Sequence, residues 1–191
     1  MDPRHKTEID RLTELASVGA EQAAAAFGQL VDRDIYTGAP TLVEGGDRGL
    51  VNTPGSERVP DTSWCTGVFF EFEGCLDALV GILFPGAASE ALVRRILGVE
   101  SGDLSPSLIE SALMEVGNIL ASHVASSIAD TLQARLLPSI PTLAMDNAES
   151  ALGVWIAERV GTDVVRIECA LHDESGELHG RLILVPTESI D

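Results

Sequence analysis

The sequence predicts an α/β (α+β) fold with pseudo-twofold symmetry, in which two long helices pack on one continuous, mainly antiparallel sheet. Three observations predict it. Helical and strand patterns follow the same order twice along 191 residues, a length suited to one sizeable domain or two small ones. Hydrophobic residues are 45% and aromatics only 4%, so a core is available and must be aliphatic. Residues also recur at a fixed offset: Glu14 plus 101 is Glu115, Pro40 plus 101 is Pro141, and Pro85 plus 101 is Pro186. Three identities inside matching patterns indicate an internal repeat. The chain is read as a single domain over 1–191, with repeat 1 at about 8–98 and repeat 2 at about 105–191.

The elements follow in order. A helix is expected from about Thr7 to Asp32, with Ile9, Leu12, Leu15, Ala16, Gly19, Ala23 and Leu30 on its apolar side. Pro40 precedes a short strand at Thr41 to Glu44, and residues 45–63 carry loop signals. Cys65 to Glu73 and Leu76 to Phe84 read as two strands around Gly74; a helix over Ala87 to Leu97 stops at Gly98. In the second half, Ser105-Pro106 and a capping box at Ser107-x-x-Glu110 start a helix that runs to about Leu136, closed by Pro138 and Pro141. A second box, Asp146-x-x-Glu149, opens a helix to about Val160. A hairpin of Val164 to Leu171 and Leu178 to Val185 turns at Gly176.

Thirty acidic residues face twelve basic ones, a formal net charge of -18, and Lys6 is the only lysine. Such a surface repels nucleic-acid backbones and anionic lipid headgroups, so neither is an expected partner. The acids are spread without a block, which favours adaptation to a salty cytoplasm over a local docking patch, and points to a halophilic archaeon. Cys65, Cys75 and Cys169 lack metal or redox spacing and read as free thiols. The first residues carry no apolar signal region, and no stretch reaches the roughly 18 apolar residues of a membrane span. A cytoplasmic location is expected.

Chemistry is concentrated on the second long helix. Ser111, Glu115, Asn118 and Ser122 recur at spacings of four, three and four, so they share one stripe, while Leu113, Val116, Leu120, Val124 and Ile128 fall mostly opposite. The first helix presents Asp10, Glu14, Ser17 and Glu21 in the same way. An isolated E-x-x-N would be no more than the solvated face of an amphipathic helix. The four histidines show no zinc spacing, and no nucleophile triad or phosphate-binding glycine loop is visible.

The longer spacing Ser111-x3-Glu115-x2-Asn118-x22-Pro141, with its counterpart 101 residues earlier, resembles the paired signature of the CheC/CheX/FliY phosphatases. The resemblance spans about Glu8 to Pro186 and is strongest over Glu115-Val-Gly-Asn-Ile-Leu-Ala-Ser122. It implies a chemotaxis protein that hydrolyses the aspartyl phosphate of the phosphorylated response regulator CheY. Asn118 is then the residue that positions water, Glu115 the anchor for a regulator lysine, and Ser111 and Pro141 supports. No cofactor is expected on this chain, the Mg²⁺ being supplied by the regulator. The first site keeps Asp10, Glu14 and Pro40 but has Ser17 in place of asparagine, which makes it degenerate. The resemblance also implies binding of the deamidase CheD at the helix opened by Asp146. The rival reading is a non-catalytic adaptor that sequesters CheD or the regulator. A flagellar switch protein of the FliM type is disfavoured by the intact Glu115/Asn118 pair.

Overall fold

The computed structural model describes residues 3–44 and 64–187, with side chains from residue 6 onward. The loop expected at 45–63, and residues 188–191 of the second repeat, lie outside the described residues. The first half comprises α1 (Pro3–Val31), β1 (Ile35–Thr37), β2 (Thr41–Glu44), β3 (Trp64–Gly74), β4 (Ala78–Pro85) and α2 (Gly86–Leu97). The second comprises α3 (Pro106–Leu132), β5 (Leu136–Pro138), β6 (Thr142–Ala144), α4 (Ala148–Val160), β7 (Val165–Asp173) and β8 (His179–Pro186).

All eight described strands join one sheet in the order β1-β7-β8-β4-β3-β5, with β2 also on β7 and β6 also on β3. Every described pairing is antiparallel. The order reads the same from either end when the halves are exchanged, with the β4–β8 pair at the centre, where Ile82 faces Leu182. Thr41 pairs with Glu168 and Thr142 with Phe69. Strands β3 and β7 are thus displaced by two residues from the offset that relates the short strands, whereas Ile82 of β4 shares a face with Leu182 and Leu184 of β8, so β4 and β8 are related by an even offset and Pro85 and Pro186 are not equivalent positions. A slip of two preserves which side chains face which way, whereas a slip of one would invert them.

Two clusters fill the faces of the sheet. On one face α1, α2 and α3 pack onto Val68, Phe70, Phe72, Val80, Ile82, Phe84, Ile167, Leu182 and Leu184. On the other, α4 lays Ala148, Leu152 and Ile156 on Phe69, Leu79, Leu83, Ile183 and Val185. Covered on both sides, β4 is buried at every residue, which explains its unbroken apolar run. The apolar side expected for α1 is buried except for Leu30, which is half-buried. A Cβ on Gly19 would meet Val124 Cγ1 at 3.0 Å, so α1 and α3 touch where α1 has no side chain.

Local chemistry sets the helix ends. Ser105 is the N-cap of α3, accepting from the Leu108 N–H with Pro106 in the first turn, so the Ser107/Glu110 box is not the cap. The helix stops at Leu132, four residues short of the expected end. Gln133 takes a left-handed φ of 50° and bonds back to Ala129 and Asp130, and Leu136–Pro138 becomes a strand instead. Likewise α4 is capped by Asn147 without a side-chain bond, because Asp146 sits at φ 70° rather than in the extended cap conformation. The β7–β8 turn at Gly176 (φ 75°) is pinned by Asp173. Its carboxylate accepts from Arg33 at 2.7 Å, from the Ser175 hydroxyl at 2.7 Å and from the Leu178 N–H at 3.2 Å. Burial pushes the Asp173 carboxyl up, but these donors together outweigh it and hold it below its ordinary value.

Candidate functional site

The α3 helix holds the second site on a rod of 27 residues, about 40 Å at 1.5 Å per residue. Its buried side is Ala112, Leu113, Val116, Gly117, Leu120, Ala121, Val124, Ala125 and Ile128. Gly117 meets the sheet: a Cβ there would fall onto Val68 Cγ1, with Val68 Cβ 3.3 Å away. The helix axis therefore lies close over β3, and α3 also contacts β5 and β6. Opposite this seam, Ser111, Glu115, Asn118 and Ser122 are all exposed. Among the described residues neither Glu115 nor Asn118 has a side-chain hydrogen bond or ion pair. The Ser122 hydroxyl donates to the main-chain carbonyl oxygen of Asn118 at 2.8 Å, which leaves the Asn118 side-chain amide uncommitted. The structure thus presents a carboxylate and an amide one turn apart, facing outward on a rigid support.

Pro141 is placed differently, being buried. On β3, Glu71 bonds to Ser139 through both its N–H and its carbonyl, and Phe69 pairs with Thr142. Ile140 and Pro141 together oppose Phe70, a bulge at the outer edge of the sheet. The bulge turns Ile140 out to 87% exposure while Pro141 packs in.

The first site is assembled less openly. Asp10, Glu14 and Glu21 are exposed on α1, but Ser17 and Pro40 are half-buried. Ala16, where the second helix has Gly117, is fully buried, and its carbonyl lies 3.8 Å from the Cys169 sulfur. Burial pushes the Cys169 thiol up to about 12, so it stays protonated and unreactive. Asp146 stands exposed immediately before α4.

Sequence reasoning missed Gly117 and Ile140. A glycine inside a helical pattern costs about 1 kcal/mol relative to alanine, so its place between Glu115 and Asn118 was the available sign of a packing demand. For Ile140 no signal existed, since the bulge depends on pairing with a distant strand. Away from the stripe, Glu168 is buried between Arg181 (2.9 Å) and Arg166 (2.8 Å); burial raises its pKa, and the two guanidinium groups oppose that. Among the described residues no group of three or more His, Cys, Asp and Glu could hold a metal ion. No described helix is long and apolar enough to cross a membrane.

Known proteins share sequence and fold with this chain. The CheC-like family matches residues 108–144, the segment that carries Ser111, Glu115, Asn118 and Pro141. The chain is 28% identical over 187 residues to the CheY-P phosphatase CheC of Bacillus subtilis (strain 168), covering 94% of this chain and 88% of that protein. It shares its fold with Thermotoga maritima FliY, at TM-score 0.66 and 16% identity, covering 97% of this chain and 90% of FliY. The CheX of the Borrelia burgdorferi CheX–CheY–BeF3–Mg²⁺ complex has TM-score 0.61 and 12% identity, covering 90% and 97% of the two chains. The architecture is that of the CheC/CheX/FliY chemotaxis proteins. In sequence and in fold, the chain is similar to the CheC-like proteins.

Proposed function

We propose that the chain is a chemotaxis phosphatase acting on the aspartyl phosphate of CheY, with one competent site at Glu115 and Asn118. The observation that carries this reading is the exposed, uncommitted pair on α3. An acyl phosphate is already labile, so acceleration needs a water held in line rather than a protein nucleophile. The side-chain Oδ1 of Asn118 accepts a hydrogen bond from that water, and its side-chain NH₂ donates to a phosphoryl oxygen. The water oxygen bonds to phosphorus as the phosphorus–carboxylate bond breaks, leaving the regulator's aspartate and inorganic phosphate. Glu115 pairs with a lysine of the regulator and fixes the approach. The regulator's own Mg²⁺ carries the phosphoryl charge. Support comes from the name of the Bacillus subtilis relative and from the CheY-bound state of the Borrelia burgdorferi CheX.

Decay of phosphorylated CheY tests the assignment. Asn118→Ala should lose about a hundredfold in acceleration, the scale of lost positioning, and Glu115→Ala should weaken both docking and turnover. Ser17→Ala should change the rate less than about twofold. Loss of activity in Ser17→Ala with Asn118→Ala unaffected would invert the site assignment. Binding of CheY without any acceleration by the wild type would favour the adaptor. A second partner, CheD, is proposed to dock at the exposed start of α4 around Asp146; capture of the chain by immobilised CheD tests it.

A further inference from the structure

We propose that Ser139 is a positioning residue for Asn118, its hydroxyl holding in register the part of the sheet on which α3 rests. This role depends on the phosphatase reading above and falls on a residue outside the helix. The regular ladder is broken where Ile140 and Pro141 together oppose Phe70. Ser139 closes the gap with three bonds. Its N–H donates to the Glu71 carbonyl oxygen at 2.8 Å. Its hydroxyl oxygen accepts from the Glu71 N–H at 2.9 Å and donates to the Ile140 carbonyl oxygen at 3.2 Å. A side chain thus takes the place of a main-chain acceptor across the bulge. What it holds is the floor of the site. Leu143 pairs with Val68, the residue beneath Gly117, and packs into the cluster on the α3 face. Pro141, two residues before Leu143, is turned to the same face and buried. The helix contacts β3, β5 and β6, so it rests on both sides of the bulge. Asn118 directly follows Gly117, about 100° round the helix. A shift of the floor therefore tilts or rolls the side chain that holds water.

The first half has the same bulge without the clamp. At the offset of 101, Gly38, Ala39 and Pro40 stand where Ser139, Ile140 and Pro141 stand in the second half. The Gly38 N–H donates to the Ala170 carbonyl oxygen at 2.9 Å, as the Ser139 N–H does to Glu71. Thr41 pairs with Glu168 as Thr142 does with Phe69. Glycine, however, has no hydroxyl to accept from the Ala170 N–H. Lack of space is not the reason. A Cβ on Gly38 would lie 3.4 Å from the Ala170 Cβ and 3.9 Å from its nitrogen, both ordinary contact distances. Pro40 is half-buried where Pro141 is buried, and Ser17 stands where Asn118 stands. The clamp accompanies the amide in one half and is missing with it from the other. A hydroxyl needed only to form the bulge would be needed in both halves, since both form it.

The test measures decay of phosphorylated CheY with the full chain and its Ser139→Ala, Ser139→Thr and Gly38→Ser variants. Kd is measured alongside, with CheY saturated by beryllofluoride and Mg²⁺. Ser139 is exposed, so the variants fold, and thermal unfolding well above the assay temperature verifies it. Misalignment by a fraction of an ångström costs about tenfold, so Ser139→Ala should lower kcat by about that factor and leave Kd within about twofold. The Glu71 amide, deprived of its acceptor, should exchange its hydrogen at least about tenfold faster. Threonine keeps the hydroxyl and suits a strand, so Ser139→Thr should restore kcat. Gly38→Ser supplies the hydroxyl to the half that lacks the amide and should leave kcat within about twofold. Wild-type kcat in Ser139→Ala overturns the proposal, as does an equal loss in Ser139→Thr, which would take the role from the hydroxyl. A rise in Kd that matches the fall in kcat also overturns it, making Ser139 a docking contact. A wild-type chain that does not accelerate the decay of phosphorylated CheY instead overturns the phosphatase reading on which the clamp rests.

Discussion

Asn118 and Ser17 stand at equivalent places on the two long helices, and the difference between them is both chemical and positional. Asparagine offers an acceptor and two donors at the end of a side chain long enough to clear its helix, whereas serine offers one hydroxyl close to the backbone. The half-burial of Ser17 shortens that reach further. Asp146 shows a different single-residue constraint. Its φ of 70° suits Asp or Asn and penalises most other side chains, so Asp146→Asn removes the charge without straining the backbone. If the carboxylate docks CheD, that variant should weaken capture by immobilised CheD, and Asp146→Lys should weaken it by at least about tenfold. Equal capture of all three forms would remove Asp146 from the interface.

Gly117 connects the stripe to the fold at the level of the element. Alanine in a helix interior is favoured over glycine by about 1 kcal/mol, but overpacking a filled core costs about 1–3 kcal/mol. Val68 is fully buried and the added Cβ would fall on its Cγ1, so the clash prevails. Gly117→Ala should lower Tm by a few degrees and reduce turnover, because the helix that carries Glu115 and Asn118 must lift or rotate. In a Val68→Ala background the clash with Cγ1 is gone and only the 3.3 Å approach to the retained Cβ remains, so the cost of the same change should fall by at least about half. An equal Gly117→Ala cost in both backgrounds would mean the contact with Val68 does not set the helix position. The long helices, both hairpins and the outward stripe were legible in the sequence because each is set by local periodicity and caps. The strands β1, β5 and β6 were not, since three residues carry too little pattern and owe their state to pairing with β3 or β7. The overextended α3 has the same origin. Gln133 gives no stop signal of its own, and its left-handed turn is imposed by the strand that follows.

At the scale of the whole molecule the decisive quantity is the formal charge of -18. Among the described residues Glu168 and Asp173 are the acids the core buries, and the other described carboxylates are exposed or half-buried. A chain of this length has a radius of gyration of about 16 Å. The Debye length is about 30 Å in 0.01 M salt and 3 Å in 1 M, so at low salt each carboxylate repels the others across the entire protein. The exposed ion pairs, such as Arg94–Glu90 and Arg159–Glu71, each contribute no more than about 1 kcal/mol and lose little on screening. Repulsion should therefore dominate the salt response. We propose that the surface is adapted to a salty cytoplasm, and expect Tm to rise by at least about 5 °C between 0.01 and 1 M KCl, equivalent to about 2 kcal/mol for a domain of this size. Screening is nearly complete by 1 M, so a further rise between 1 and 3 M would report hydration of the carboxylates in addition. Full stability at 0.01 M would contradict the adaptation and return the acidity to a role in partner recognition.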